Sequence, residues 1–264
     1  VTRTGPKGVY AAPALEKAFE IIELLADYPD GALVSEMAAS LGRSVGELFR
    51  IVIVMERLGY LRKSANTDRY TVSYKLLETA YRATPAQNLV RAALPQMQGL
   101  ALAAGQSCHL VVASEDHGLV IACEQQPGVR GFSLRVGARI DIVTSCSGQV
   151  LLAYAALRRR EQILDAVVAQ RADPIDRAHL AERFATIRAA GHDSRQSPVT
   201  YGVTDISFPI FGFDGRAIAA LTIPFLDLID GSQKVGLEAA RELLRTTTAA
   251  ISDTLGYPGA PSDA

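Results

Sequence analysis

S-E-M-A-A-S-L-G-R-S-V-G-E-L-F-R-I-V-I-V-M-E-R-L-G-Y, residues 35–60, runs directly into L-R-K-S-A-N-T-D-R-Y-T-V, residues 61–72, and this stretch decides the fold of the N-terminal part. Ser35 offers a side-chain oxygen to cap a helix, Met37 and Leu41 lie four apart on one face of it, and Gly42 permits a tight turn. A second helix follows. Its apolar positions Val45, Leu48, Ile51, Val52, Met55 and Leu58 keep helical spacing, while Arg43, Glu47, Arg50, Val54 and Arg57 fall along the opposite face. After Gly59, residues 60–63 and 69–72 read as short strands joined by the polar turn 64–68, with bases on both sides. Two helices and a basic hairpin make a winged helix-turn-helix, whose second helix enters a DNA major groove while the wing reaches backbone or minor groove.

Charge supports that reading. From Arg43 to Lys75 there are seven bases against three acids, a net of +4 in a chain whose formal charge is only −1. A local basic stripe is where phosphates are neutralised with release of counterions. The phosphate-facing candidates are Arg43, Ser44, Glu47, Arg50 and Arg57 on the second helix and Arg62, Lys63 and Arg69 on the wing.

Outward from this stretch, residues 1–13 carry Gly5, Pro6, Gly8 and Pro13 with no apolar period and are expected to form a disordered arm. Leu15, Phe19, Ile22 and Leu25 then repeat at helical spacing until Pro29-Asp30-Gly31, giving the helix that precedes a helix-turn-helix and a DNA-binding domain over 14–75. Leu33 and Val34 suit a third short strand. Residues 76–105 read as linker helices, interrupted at Thr84-Pro85 and kinked or restarted at Pro95. From residue 106 the texture turns strand-like. Residues 108–114 and 119–123 form a hairpin, with further strands expected at 132–136 and 139–143 and helices at 147–157, 161–170 and 175–190. Strands at 204–211 and 216–224 flank Gly212-Phe213-Asp214-Gly215, and Asp-Gly between apolar runs signals a hairpin. A last helix spans 235–255 and residues 257–264 trail off as a disordered tail. Strands enclosing helices without long parallel alternation give an α+β domain over 106–256.

The 264 residues are 48 % hydrophobic and 21 % charged, enough for two cores and unlike a disordered acidic chain. No apolar run reaches membrane-spanning length and the first residues lack the apolar core of a signal peptide, so a cytoplasmic protein with no membrane partner is expected. Cys108, Cys123 and Cys146 are an odd number without C-x-x-C spacing, which speaks for reduced thiols over a disulfide framework or structural zinc. Catalytic and phosphate-cradling motifs are missing, and no metal or other cofactor is implied. Cys108 and His109 are neighbours on a strand and point to opposite faces. A rival reading makes the C-terminal domain a small-molecule-processing enzyme with a helix-turn-helix appendage. Its chemistry would come from Cys146, Asp205 or His192, the thiol being activated by a helix N-terminus. No base can be paired with that thiol, and the sensor reading is preferred.

The order of the motifs A-L-E-K-A-F-E-I-I-E-L-L-A, S-E-M-A-A-S-L-G-R-S-V-G-E-L-F-R, E-R-L-G-Y-L, R-Y-T-V, V-G-A-R-I-D-I-V-T-S-C-S-G-Q-V-L-L-A, A-A-G-H-D, Y-G-V-T-D-I-S-F-P-I-F and D-G-R-A-I-A-A-L-T-I resembles the IclR family of bacterial transcriptional regulators. The resemblance covers roughly residues 14–255. It implies a winged-helix domain, a linker helix and a GAF-like effector domain that binds an organic acid or aromatic metabolite. It also implies double-stranded operator DNA, palindromic to match a homodimer, and often tetramers. The implied effector site comprises Cys146, Ser147 and Gly148 at a loop-to-helix junction, apolar lining at Phe132 and Ile140, and Thr222 on a strand. This chain departs from the family at Ser44-Val45-Gly46-Glu47, where a proline and Lys-Ser-Thr are usual, and at Gln149, where a lysine is usual. Arg195 and Asp205 stand where a carboxylate and a cysteine are common. With Arg195 opposite the helix start, the effector is expected to carry an anionic group; if Asp205 instead pairs with Arg195 and neutralises it, a polar ligand with a donor such as a hydroxyl or amine is expected.

Overall fold

The computed structural model describes residues 12–83, 86–126, 128, 131–171 and 173–259, so the expected arm before residue 12 and the last residues of the expected tail lie outside them. The chain divides into two compact units at residue 84.

The first unit contains α1 (Pro13–Ala26), α2 (Val34–Leu41), α3 (Val45–Arg57), the antiparallel pair β1 (Leu61–Lys63) and β2 (Tyr70–Val72), and α4 (Tyr74–Ala83). Gly42 sits in the left-handed region at φ 62°, where a side chain would clash, and so lets α2 turn into α3. Ile21, Leu25, Met37, Leu48, Val52, Met55, Leu61 and Tyr70 build one core. Two expectations fail at helix ends. Ser35 is not the cap of α2: the helix opens one residue earlier, and the Leu33 N–H donates to Glu36 Oε2 at 3.0 Å. Val34 is therefore helical, and the third edge of the wing is a single bridge between Ala32 and Tyr70. Val45 and Leu58, placed on the packed face of α3 by periodicity, are 49 % and 51 % exposed because they lie beyond the length of helix that the core covers.

The second unit contains α5 (Ala86–Ala104), β3 (Cys108–Ser114), β4 (His117–Glu124), β5 (Arg139–Ile140), α6 (Cys146–Tyr154), α7 (Leu157–Val168), α8 (Arg177–Ala190), β6 (Asp193–Gln196), β7 (Val203–Phe211), β8 (Ala217–Leu226) and α9 (Leu237–Thr254). Six antiparallel strands pair in the order β5-β4-β3-β8-β7-β6. Strand alternation divides the sheet's residues between two cores. Cys108, Leu110, Ile206, Phe208, Leu221 and Ile223 face α5 and α9. Val111, Val120 and Ala220 face the layer of α6, α7 and α8.

Three expectations change here. Leu89, Ala93, Met97, Leu100 and Ala104 put α5 inside the first of those cores, so residues 86–104 belong to the effector-type domain and are not a free linker. Pro95 lies within α5 without ending it. Residues 132–136 form no strand despite their β-favouring composition, since no neighbouring strand offers them a ladder, whereas the apolar-poor Asp193–Gln196 becomes β6 by pairing with β7.

Candidate functional site

In the first unit, α3 shows one face to the core and another to solvent. Ser44 caps it by accepting the Glu47 N–H at 3.3 Å. Arg50 and Arg57 project from the exposed face, and neither their guanidinium groups nor that of Arg62 on β1 has a hydrogen-bond or ion-pair partner among the described residues. The remaining candidates are committed within the protein. Arg43 precedes α3 and turns back to α1, where one guanidinium nitrogen lies 3.1 Å from both carboxylate oxygens of Glu20. Glu47 pairs with Lys17, whose hydrogen bond and charge, helped by the charge of Arg43 and the Ser44 N–H, hold its carboxyl below the usual carboxylate range. Lys63 pairs with Asp68 across the wing turn at 2.7 Å, in an exposed geometry that a phosphate can displace.

Arg69 corrects the sequence reading. Its two terminal nitrogens reach Glu36 at 2.9 and 2.7 Å, and one also donates to the Gly31 carbonyl at 2.8 Å. A two-pronged bond of this kind fixes geometry. Arg69 therefore ties the wing to α2 and is not a free phosphate contact. Neutralising Arg62 and Lys63 is expected to lower the log–log salt slope of DNA binding by roughly one unit per lost contact. Arg69→Ala should instead lower the melting temperature; if it flattens the salt slope at unchanged stability, this assignment is wrong.

In the second unit a cavity of about 290 Å³ opens between the sheet and the loops around α6. Two of its floor residues, His109 and Thr222, belong to a polar belt that follows from strand register. His109 on β3 stands opposite Thr222 on β8, Thr222 opposite Ser207 on β7, and Ser207 opposite Asp193 on β6. Paired residues share a face, so these four polar side chains form one belt across the sheet, all at most 5 % exposed. Thr222 Oγ1 donates to Ser207 Oγ at 2.8 Å. Neither ring nitrogen of His109 has a hydrogen-bond partner among the described residues, and Nδ1 is sealed from solvent. Burial pushes His109 down to about 4, so its ring is neutral.

Of the sequence candidates, Phe132, Ile140, Cys146, Ser147, Asp205 and Thr222 line this cavity, and His109, Leu134 and Val199 join them. Sequence reading missed His109 because it was weighed only as half of a thiol–imidazole pair; its place on the alternate face was the available signal. Gly148 and Arg195 do not line the cavity. A Cβ on Gly148 would stand 2.3 Å from the Ile142 carbonyl oxygen, so glycine is there for helix packing. Arg195 stands opposite Asp205 in the ladder, yet its guanidinium runs to Asp193 Oδ2 at 3.2 Å and the Thr144 carbonyl at 2.7 Å. Asp193 Oδ1 accepts from Arg183 at 2.8 Å while its Oδ2 meets Arg195 Nε as an ion pair without hydrogen-bond geometry, so a nearly buried carboxylate lies against two guanidiniums. Of the two aspartates that line the cavity, Asp141 is taken up by the Val143 and Thr144 N–H groups and by Arg171, which leaves Asp205 as the carboxylate available to a ligand. Burial raises its pKa, partly offset by Ser197 and the charge of Arg195.

The rival chemistry finds no support in this geometry. Cys146 is 1 % exposed, and burial together with Asp193 raises its thiol well above the usual range, overriding the expected activation by the helix start. His192 stacks on Phe208 at 4.7 Å with Nδ1 against the Ala190 carbonyl.

Comparison with known proteins agrees with both units. Residues 14–65 match the family model described as "IclR helix-turn-helix domain", and residues 81–253 match "Bacterial transcriptional regulator IclR C-terminal". The chain is 26 % identical to the HTH-type transcriptional regulator KdgR of Escherichia coli (strain K12), over 93 % of each chain. It is 28 % identical to the HTH-type transcriptional regulator BhcR of Paracoccus denitrificans, over 87 % of this chain and 85 % of that one. Its fold is shared with an IclR homologue from Microbacterium hydrocarbonoxydans solved in complex with 4-hydroxybenzoate. There the TM-score is 0.76 at 22 % identity, covering 92 % of this chain and 98 % of the other. These matched families and curated relatives are regulators rather than enzymes. Among the described residues no helix is long and apolar enough to cross a membrane.

Proposed function

The chain belongs to the IclR family of bacterial transcriptional regulators, DNA-binding proteins controlled by a small molecule, and from that premise we propose which residues do the binding. The observation that carries the DNA assignment is the set of three unpartnered arginines beside the helix-turn-helix: Arg50 and Arg57 on α3, and Arg62 on the wing. Arg50 contacts a guanine edge or a phosphate, and Lys63 and Arg62 add sequence-independent contacts. Arg50→Ala is expected to lose roughly 1–3 kcal/mol of operator affinity with the circular dichroism spectrum unchanged. Unaltered affinity at fixed salt would remove Arg50 from the interface. The working assembly is a homodimer, or a pair of dimers, on a palindromic operator, because two-fold protein symmetry is mirrored in paired half-sites.

The small molecule occupies the cavity beside His109. Two features define its chemistry. Cys146 and Ser147 bring first-turn N–H groups of α6 to the wall, where an anionic group is favoured, and Asp205 accepts from a hydrogen-bond donor. Since Arg195 is held by Asp193 and Thr144, the anion is received by backbone N–H groups and not by a guanidinium. The effector is then a small, partly apolar organic acid that also carries a hydroxyl. The 4-hydroxybenzoate held by the Microbacterium homologue combines these groups and supplies the probe. In calorimetric titrations wild type should prefer 4-hydroxybenzoate to both benzoate and 4-hydroxybenzamide. Asp205→Asn should weaken the hydroxylated acid about tenfold and leave benzoate alone, since hydrogen bonds to charged groups contribute roughly 1.5–3 kcal/mol. Equal affinity of wild type for the first two compounds would exclude the role of Asp205.

A further inference from the structure

The exposed face of α3 carries an apolar pattern that operator binding in general does not require. At 100° per residue, Gly46, Arg50, Ile53 and Arg57 form the outward line opposite Leu48, Val52 and Met55, with Phe49 and Val54 on its flanks. Phe49 is 49 %, Ile53 40 % and Val54 42 % exposed. Isoleucine and valine are not favoured by a solvated helix surface, where straight-chain polar residues form helix better. Gly46 is equally unexplained by the fold: it is helical, and a Cβ there would meet nothing within 4 Å. The apolar groups are also interleaved with the two arginines of α3 whose guanidinium groups have no partner among the described residues.

Those observations fit one surface. The major groove is rimmed by phosphates and carries a single apolar mark on its base edges, the C5-methyl of thymine. We propose that α3 reads thymine: Ile53 and Phe49 pack on C5-methyl groups, Arg50 and Arg57 hold the charged surroundings, and the bare Gly46 backbone lets the start of the helix approach the duplex closely. This rests on the assignment of α3 to DNA above, and goes beyond it by fixing the base that is read.

The test uses full-length protein and an operator obtained by enrichment from random-sequence duplexes. Each thymine is replaced in turn by deoxyuridine, which removes only the methyl, and affinity is measured at fixed salt. Loss of about fourfold per contacted methyl is expected at one or more positions in each half-site. Ile53→Ala should make the thymine and deoxyuridine duplexes bind alike at one set of sensitive positions, and the double variant Phe49→Ala/Ile53→Ala at all of them. Gly46→Ala should raise the melting temperature while weakening operator binding, two changes of opposite sign that a merely structural glycine would not show. Equal binding of all deoxyuridine duplexes overturns the proposal with DNA binding intact. So does an Ile53→Ala protein that keeps the deoxyuridine penalty but sediments as a smaller species, which would make this face a contact between copies of the chain. Failure to enrich any duplex would remove the DNA assignment itself.

Discussion

Gly148→Ala should cost the C-terminal unit about 3 kcal/mol or more, at the upper end of what overpacking a core removes. The reason is the identity of what an added methyl meets: the carbonyl oxygen, Cα and carbonyl carbon of Ile142, at 2.3, 2.5 and 2.6 Å. A flexible side chain would yield, but this is backbone. It is backbone without slack, because Ile142 is wholly buried and the residues after it are pinned by Asp141 Oδ1, which accepts the N–H groups of Val143 and Thr144 at 2.8 and 3.0 Å. α6 cannot retreat either, since every residue from Cys146 to Ala153 is buried. For a unit of this size each kcal/mol moves the melting temperature by roughly 2–4 °C, so a fall of about 10 °C is expected in calorimetry. A fall of under about 2 °C would show that α6 has room that the structure denies it.

The second large effect is a dependence on pH set by His109. Its ring is buried neutral, pushed from 6.5 down to about 4 with no partner to accept a proton. Because the folded value lies below the unfolded one, the unfolded chain takes up a proton first as pH falls. Stability from this group is therefore complete above about 6.5, is lost progressively below it, and is fully lost by about 4. At about 1.36 kcal/mol per pH unit the gap comes to roughly 3 kcal/mol. Urea unfolding of wild type at pH 7.5 and pH 4.5, compared with His109→Gln, isolates it: the variant should lose less on acidification. Parallel losses in the two proteins would mean that the ring protonates in place.

What the sequence made legible follows the strength of local signals. The helix-turn-helix was readable because Gly42 and the Leu48-Val52-Met55 spacing each act within a few residues, whereas the cap at Ser44 was not read. Ends were less so, as Val45 and Leu58 show: a period tells which way a residue points but not whether anything stands opposite. β6 was invisible, since D-S-R-Q has no apolar alternation and owes its strand to the ladder with β7. The helix 86–104 looked like a connector because amphipathy does not say which core it enters. In the candidate site, Cys146, Ser147, Asp205 and Thr222 were reachable from the sequence, but the destination of Arg195 was not. Its ladder partner is Asp205 and its ionic partner is Asp193, a choice made by a side chain about four bonds long after the backbone is fixed.

The belt His109-Thr222-Ser207-Asp193 crosses a sheet whose other face carries the apolar core packed on α5 and α9. Alternate residues of the same strands thus answer to different demands, one set to cohesion and the next to recognition. On the proposed site, a change at Thr222 or His109 is expected to alter what the cavity distinguishes while Leu221 and Leu110, one peptide bond away, go on holding α5 and α9. The sheet works as a partition wall. A lineage of such proteins can exchange its chemical vocabulary on one side while the masonry on the other stays in place.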